Sequence, residues 1–249
     1  MYEILFQYGP ITIKTFNLLL AAAFLVGIVF LVRFIRLKKL KLAFFVENLI
    51  PFLIIPLIGG RIFYIFEHLA LFKQNPLQTL FIWDLGFSVF GLFYTAIGTL
   101  YVLSKREQED FWGWLDAFTL TGLTGLFFVH IGTFLNGRHY GIPTDLPWGI
   151  AFDTYFIPFT TPIHPTQIYS VLITFIILGI SMRYVKKTHL TGVVGTLAIM
   201  LYSLSAFGID FLHGDPSMYI KINHLIIASL AFVFYVLCSH HKLLKNLKT

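Results

Sequence analysis

Leu126-Phe127-Phe128-Val129-His130-Ile131-Gly132-Thr133-Phe134-Leu135 reads as the second half of a membrane helix. The next stretch, Asn136-Gly137-Arg138-His139-Tyr140-Gly141-Ile142-Pro143-Thr144-Asp145-Leu146-Pro147-Trp148-Gly149, ends that helix. His164-Pro165-Thr166-Gln167-Ile168-Tyr169 then opens the next apolar run. Here the chain sets its densest group of hydrogen-bonding and titratable residues beside hydrocarbon. Polar groups at membrane depth are costly, so such a cluster marks a functional site by default.

The composition extends the membrane reading to the whole chain. Of 249 residues, 57% are apolar and 12% charged, and the mean hydropathy is +0.79. A soluble domain carries about 45–50% apolar and about 25% charged residues. Apolar runs of about 20 residues, each long enough to span, recur throughout. They exclude a membrane β-barrel, whose strands alternate over about 10 residues. The fold class is therefore all-α, a polytopic bundle. Residues 1–249 are expected to form a single integral membrane domain.

Seven spans are expected, at about 13–33, 43–67, 85–103, 113–135, 166–185, 192–212 and 223–240. Pro51, Pro56 and Gly59-Gly60 are expected to kink or unwind the second. The start Met1-Tyr2-Glu3 has no basic segment and the first run is long, so it is expected to stay as an uncleaved span. Arg33, Arg36, Lys38, Lys39 and Lys41 follow span 1, and Lys105 and Arg106 follow span 3. Arg183, Lys186 and Lys187 follow span 5, and Lys242, Lys245 and Lys248 follow span 7. These are most of the 18 basic residues, so their side is cytoplasmic. The N-terminus is then outside, the C-terminus inside, and the long loop between spans 4 and 5 lies on the outer face. That loop carries Trp148, Ile150, Phe152, Tyr155, Phe156, Ile157 and Phe159, which suit the outer-leaflet interface. The net charge of +6 is topological and does not indicate nucleic acid. The single cysteine, Cys238, excludes an internal disulfide and a multi-cysteine metal site.

Each polar motif admits a functional and a plain reading. Asn136, Gly137, Arg138, Tyr140 and Gly141 suit a lipid head-group site, with the Arg138 fork directed at phosphate. The same residues also suit a turn with a snorkelling arginine. His130 shares a helical face with Thr133 and Gly137; it is either a proton acceptor or a packed histidine. Arg61, deep in span 2 with Glu67 and His68 beyond it, must face the interior. Glu47 and Asn48 read as a polar pair, and Asp116 as a partner for Lys105 or Arg106. Tyr202 and Ser205 also suit plain helix packing, but Asp210 requires a partner, with Arg61, Arg138 and His213 as candidates. His164, Gln167 and Tyr169 belong to a segment that also has ordinary helix-start chemistry. No GxxxxGK-S/T loop, GxSxG elbow or metal-ligand spacing is present.

Taken together, several motifs resemble the prolipoprotein diacylglyceryl transferase family. They are Gly9-Pro10-Ile11-Thr12-Ile13, Gly60-Arg61, Asp116, Phe134-Leu135-Asn136-Gly137, Gly141, Thr144-Asp145-Leu146-Pro147-Trp148, His164-Pro165-Thr166-Gln167-Ile168-Tyr169 and Tyr202. The resemblance covers nearly the whole chain in the right order. It implies a multi-pass protein of the bacterial inner membrane, active in lipoprotein biosynthesis. Such an enzyme moves the diacylglyceryl group of phosphatidylglycerol onto the lipobox cysteine thiol of a preprolipoprotein and forms a thioether. The implied partners are phosphatidylglycerol, the preprolipoprotein signal peptide and membrane lipids; no metal or other cofactor is implied.

The resemblance breaks at chemically important positions. His130 stands where the family has an arginine, and Thr133 where it has an asparagine. Arg138 replaces an acidic residue, Val89 a histidine, Ala206 an arginine, Asp210 a glutamate and His213 an arginine; Phe16 stands for a tyrosine. The resulting expectation makes His130 the base, with Arg138 and Arg61 on the phosphate and Tyr202 among the catalytic groups. Asn136, Gly137, Tyr140, Gly141, His164, Gln167, Tyr169, Asp210 and His213 are expected to bind substrate. Two alternatives remain open: a related membrane transferase using another lipid or acceptor, and a non-catalytic lipid- or peptide-binding relative.

Overall fold

A computed structural model describes residues 4–8, 11–74, 76–79, 86–152, 157–187, 190–214 and 218–246. Met1-Tyr2-Glu3, Gly9-Pro10, Tyr155-Phe156 and Lys248, all named above, lie outside these residues. The chain is mostly helical. Strands β1 (Ile4–Tyr8) and β2 (Ile11–Lys14) pair antiparallel ahead of α1 (Thr15–Leu37). There follow α2 (Leu42–Glu47), α3 (Leu49–Glu67), α4 (Leu69–Gln74) and a 3-10 turn at Pro76–Thr79. Then come α5 (Val89–Arg106), α6 (Phe111–Leu135), α7 (Thr166–Lys187), α8 (Val193–Ile209) and α9 (Met218–Asn246). The hairpin is a departure from the all-α expectation. Ile11-Thr12-Ile13 is β-branched throughout and takes the extended conformation that such residues favour, so the first helix starts at Thr15.

Among the described residues, five helices are long and apolar enough to cross a membrane: α1, α3, α6, α7 and α9. The helix α8 is apolar but has only 17 residues, and α5 is not among the five. The surface confirms the environment. Phe24, Leu25 and Val29 on α1, Ile50 and Phe66 on α3, and Phe175 and Ile176 on α7 point outward. Asp116, Thr166, Gln167 and Thr174 are buried. An apolar outside around a partly polar inside is the arrangement of a protein whose solvent is lipid.

The chain divides into two units, Met1–Lys38 with Asp116–Thr249, and Lys39–Leu115. In the second unit, α3 and α5 cross closely. A Cβ on Gly60 would sit 2.7 Å from Leu92 Cγ, and one on Gly59 would strike Thr95. The glycine pair thus serves close approach and does not unwind the helix. The chain breaks at Asn48 instead, where Nδ2 donates to Phe44 O at 3.0 Å and to Glu107 Oε1 at 2.8 Å. Glu47 is exposed, so Asn48's acidic partner is Glu107. Pro51 falls in the first turn of α3, where a missing N–H costs nothing.

In the first unit, α8 packs on α7 and α9. Asp116 holds the start of α8. Its Oδ1 accepts from Gly195 N at 2.6 Å, and its Oδ2 accepts from Gly192 N at 3.0 Å and pairs with Lys38 Nζ at 2.9 Å. The expected pairing with Lys105 or Arg106 is replaced by one with Lys38. The carboxylate faces the positive end of a helix, and the end of α1 supplies the buried cation.

Candidate functional site

The site grows from the end of α6. Gly137 takes a left-handed φ of 68°, with Gly137 N donating to Phe134 O at 3.2 Å and Arg138 N to Thr133 O at 3.1 Å. These two bonds satisfy the last carbonyls of α6 and turn the chain sharply, as a glycine just past a helix allows. His139 follows with φ 57°, an uncommon conformation for a side-chain-bearing residue.

Two other segments hold this turn. At the start of α7, Gln167 Nε2 donates to Arg138 O at 2.7 Å, and Thr166 Oγ1 donates to His139 O at 2.7 Å. After α8, the chain pairs with the loop: Ile142 N donates to Leu212 O at 2.8 Å, and Gly214 N to Tyr140 O at 2.9 Å. Gly141 lies where the segments meet. A Cβ there would lie 3.0 Å from Leu212 O and would strike His164 O. Further along, Ile150 and Ile163 exchange both backbone bonds at 3.0 Å. Phe152, Ile157 and Ile163 form a small core against Phe134, Tyr140, Ile150 and Phe159. Much of the loop's aromatic content is therefore turned into its own core, while Trp148 is exposed.

The polar side chains gather around this frame. His130 Nε2 lies 3.0 Å from Tyr202 Oη, joining α6 to α8. Thr133 turns its hydroxyl back to His130 O at 2.9 Å. Asp210, at the end of α8, pairs with His213 Nδ1 at 3.4 Å and with His224 Nδ1 at 2.6 Å. His213 was among the expected partners of Asp210; His224, on α9, was not. The only sequence signal for it was a titratable residue at the edge of an apolar run, which is itself reason for suspicion. Tyr169 Oη accepts from Trp148 Nε1 at 2.8 Å and lies 3.1 Å from His164 Nδ1, so these three residues form a separate edge of the site.

Two acceptors are left over. Because a carbonyl can only accept, the bond to Arg138 O fixes Gln167 with its NH2 on that side. Its Oε1 is then buried without a hydrogen-bond partner among the described residues, as is Asn136 Oδ1. Arg138 itself is exposed. Desolvation in the loop, then the neighbouring His213 and Arg138, hold the His139 imidazole below its ordinary range, even though the residue keeps an exposed face. Among the described residues, no group of three or more His, Cys, Asp or Glu side chains is placed to hold a metal ion.

Arg61 belongs to the other unit. It is buried, its Nη1 donates to Gly86 O at 3.3 Å, and its guanidinium lies 5.5 Å from the Phe72 ring centre and 6.0 Å from that of Tyr64. Nearby, Ser88 Oγ donates to Glu67 Oε1, and His68 Nδ1 contacts Tyr64 O.

Comparison with known proteins gives a consistent result. The family model described as Prolipoprotein diacylglyceryl transferase matches residues 3–240. A phosphatidylglycerol--prolipoprotein diacylglyceryl transferase of Synechococcus sp. is 32% identical over 85% of this chain and 79% of its own length. The protein of the same name from Desulfotalea psychrophila is 32% identical over 94% of this chain and 89% of its own. That from Solidesulfovibrio magneticus is 30% identical, with 84% and 81% covered.

Proposed function

Since the chain belongs to the prolipoprotein diacylglyceryl transferase family, we propose that it moves the diacylglyceryl group of phosphatidylglycerol to the cysteine thiol of a prolipoprotein, with glycerol phosphate as the other product. The observation that carries the reading within the site is the pair of buried, unsatisfied acceptors, Asn136 Oδ1 and Gln167 Oε1, beside Arg138. A phosphoglycerol head group offers hydroxyl donors, which the two amide oxygens lack, and a negative charge that suits the exposed Arg138 guanidinium. An unpaired buried acceptor costs about 1–3 kcal/mol, and binding such a ligand would recover much of this cost.

The chemistry needs a thiolate nucleophile, and a free thiol titrates near about 8.5. His130, held by Tyr202, is the proton acceptor in this reading, and Arg138 supports the phosphate. Tyr140, Gly141, His164 and Tyr169 shape the head-group side. The match over 3–240 runs through both units and supports reading residues 1–249 as one membrane domain. The charge pattern supports seven spans, with α5 and α8 joining the five long helices, in a bacterial inner membrane with the N-terminus outside. The loop after α6 would then face the outer leaflet.

The test is transfer itself. Purified protein is incubated with phosphatidylglycerol vesicles and a lipobox peptide bearing one cysteine. A diacylglyceryl mass gain on that peptide, absent when serine replaces the cysteine, is the expected result. No gain from folded protein moves the reading to another acceptor or to binding without turnover.

A further inference from the structure

Asp210 carries a carboxylate only 5% exposed, and its side-chain partners among the described residues are two imidazoles. A buried charge needs an opposite charge or it neutralises. The arrangement therefore sets two imidazole nitrogens against one buried carboxylate. The two histidines are not equivalent. His224 Nδ1 lies 2.6 Å from Oδ2, and its side chain is 18% exposed. His213 Nδ1 lies 3.4 Å from Oδ1, and its side chain is 25% exposed. The His213 backbone is held against the loop that bears Arg138, through Gly214 N to Tyr140 O and Ile142 N to Leu212 O. With Nδ1 turned to the carboxylate, Nε2 points away from it.

We propose that His213 is the acid that protonates the departing phosphate, and that His224 is a positioning residue that fixes Asp210, which in turn orients His213. This rests on the transfer reading above. In the step, the cysteine sulfur bonds to the terminal glyceryl carbon as the bond from that carbon to the phosphate oxygen breaks. The bonding pair leaves on that oxygen, and the Nε2 proton of His213 passes to it. The thiol proton goes to His130. One imidazole gains a proton and the other loses one, so the balance closes with no further reactant. The other charged and titratable groups on the surrounding elements are Arg138, His139 and Tyr140 from the loop, His130 from α6, Tyr202 from α8 and Lys221 from α9.

The test uses the full protein in phosphatidylglycerol vesicles with the lipobox peptide, read as kcat and KM from pH 5.5 to 9. H213Q is expected to lower kcat by about 10²-fold and to abolish the alkaline decline of the rate. D210N, which loses the anionic acceptor of both imidazoles, is expected to lower kcat about tenfold with KM little changed. H224A is expected to lower kcat about tenfold with KM little changed, and H224Q, whose amide can still donate to Asp210, to restore most of it. H213Q with H224A together should cost no more than H213Q alone. A normal pH profile in H213Q, or independent losses in the double variant, overturns the proposal.

A second measurement does not depend on turnover. Imidazole 15N shifts should show His213 Nδ1 carrying a proton hydrogen-bonded to the carboxylate in the wild type and that bond lost in D210L. A His213 Nδ1 without that bond in the wild type overturns the proposal. If the wild type shows this bond but transfers nothing, the transfer reading fails and the orientation of His213 by Asp210 stands.

Discussion

His130 Nε2 and Tyr202 Oη lie 3.0 Å apart, bonding the last turns of α6 to the middle of α8. In the proposed reaction this contact orients the ring that receives the thiol proton. Replacing His130 with alanine is expected to lower kcat by about 10²–10⁴-fold, the range for losing a general base. Y202F keeps the packing and removes one hydrogen bond, so a loss of about tenfold or less is expected. Initial rates in the vesicle assay, with folding checked by thermal unfolding, decide the matter. An unchanged rate in H130A removes His130 from the mechanism.

Gln167 makes a second prediction, because its two amide ends have different tasks. Nε2 fixes the Arg138 carbonyl, while Oε1 awaits a donor. Q167A should cost about 1–3 kcal/mol of stability by freeing the Arg138 carbonyl, and should raise KM for phosphatidylglycerol. Thermal unfolding and saturation curves read the two effects separately. A variant that loses stability with unaltered KM would confine Gln167 to a structural role.

The Asp116–Lys38 pair tests the scaffold. Both side chains are buried, at 0% and 8% exposure. Removing one partner of a buried pair costs about 3–5 kcal/mol, whereas replacing both with apolar residues is often near neutral. K38M should be the milder single change, since Asp116 retains the amides of Gly192 and Gly195. D116L leaves both a buried ammonium and an uncapped α8, and should be worse. Unfolding midpoints in detergent should rank wild type above K38M and K38M above D116L.

Gly141→Ala should damage the site beyond its size. The added methyl would strike the His164 carbonyl where the loop, the α7 start and the post-α8 segment converge. Over-packing of this kind costs about 1–3 kcal/mol. Transfer should fall more than stability does, because the displaced groups carry Arg138 and His213. Rates and unfolding midpoints measured on the same sample give the comparison, and equal loss of both would mean that the contact serves folding alone.

The long helices were legible because their signals are local. Phe111–Leu135 and Thr166–Lys187 are continuous apolar runs, ended by Asn136-Gly137 and begun after Pro165. The interruption near α3 was misread because proline was taken as the breaker. Pro51 sits where no donor is needed, and Gly59-Gly60 answers a neighbouring helix that no local pattern displays. The hairpin escaped because strands of five and four residues beside a long apolar run look like the run's own beginning. Within the site, the sequence offered His130, Tyr202, Asp210 and His213, with His213 as one candidate partner of Asp210, but not the His130–Tyr202 bond or the contact of Asp210 with His224. Those bonds join residues 72 and 14 positions apart, as with His130–Tyr202 and Asp210–His224. Asn48 and Asp116 teach the same lesson, for their partners Glu107 and Lys38 are set by helix packing.

The measurement that bears most directly on the central claim counts both products in one tube. Phosphatidylglycerol vesicles, the single-cysteine lipobox peptide and the wild-type protein are combined, and lipidated peptide and released glycerol phosphate are quantified together over time. The account predicts that they appear in equal amounts, with neither formed when serine replaces the cysteine. Release of glycerol phosphate without peptide lipidation, or neither product from folded protein, would contradict it.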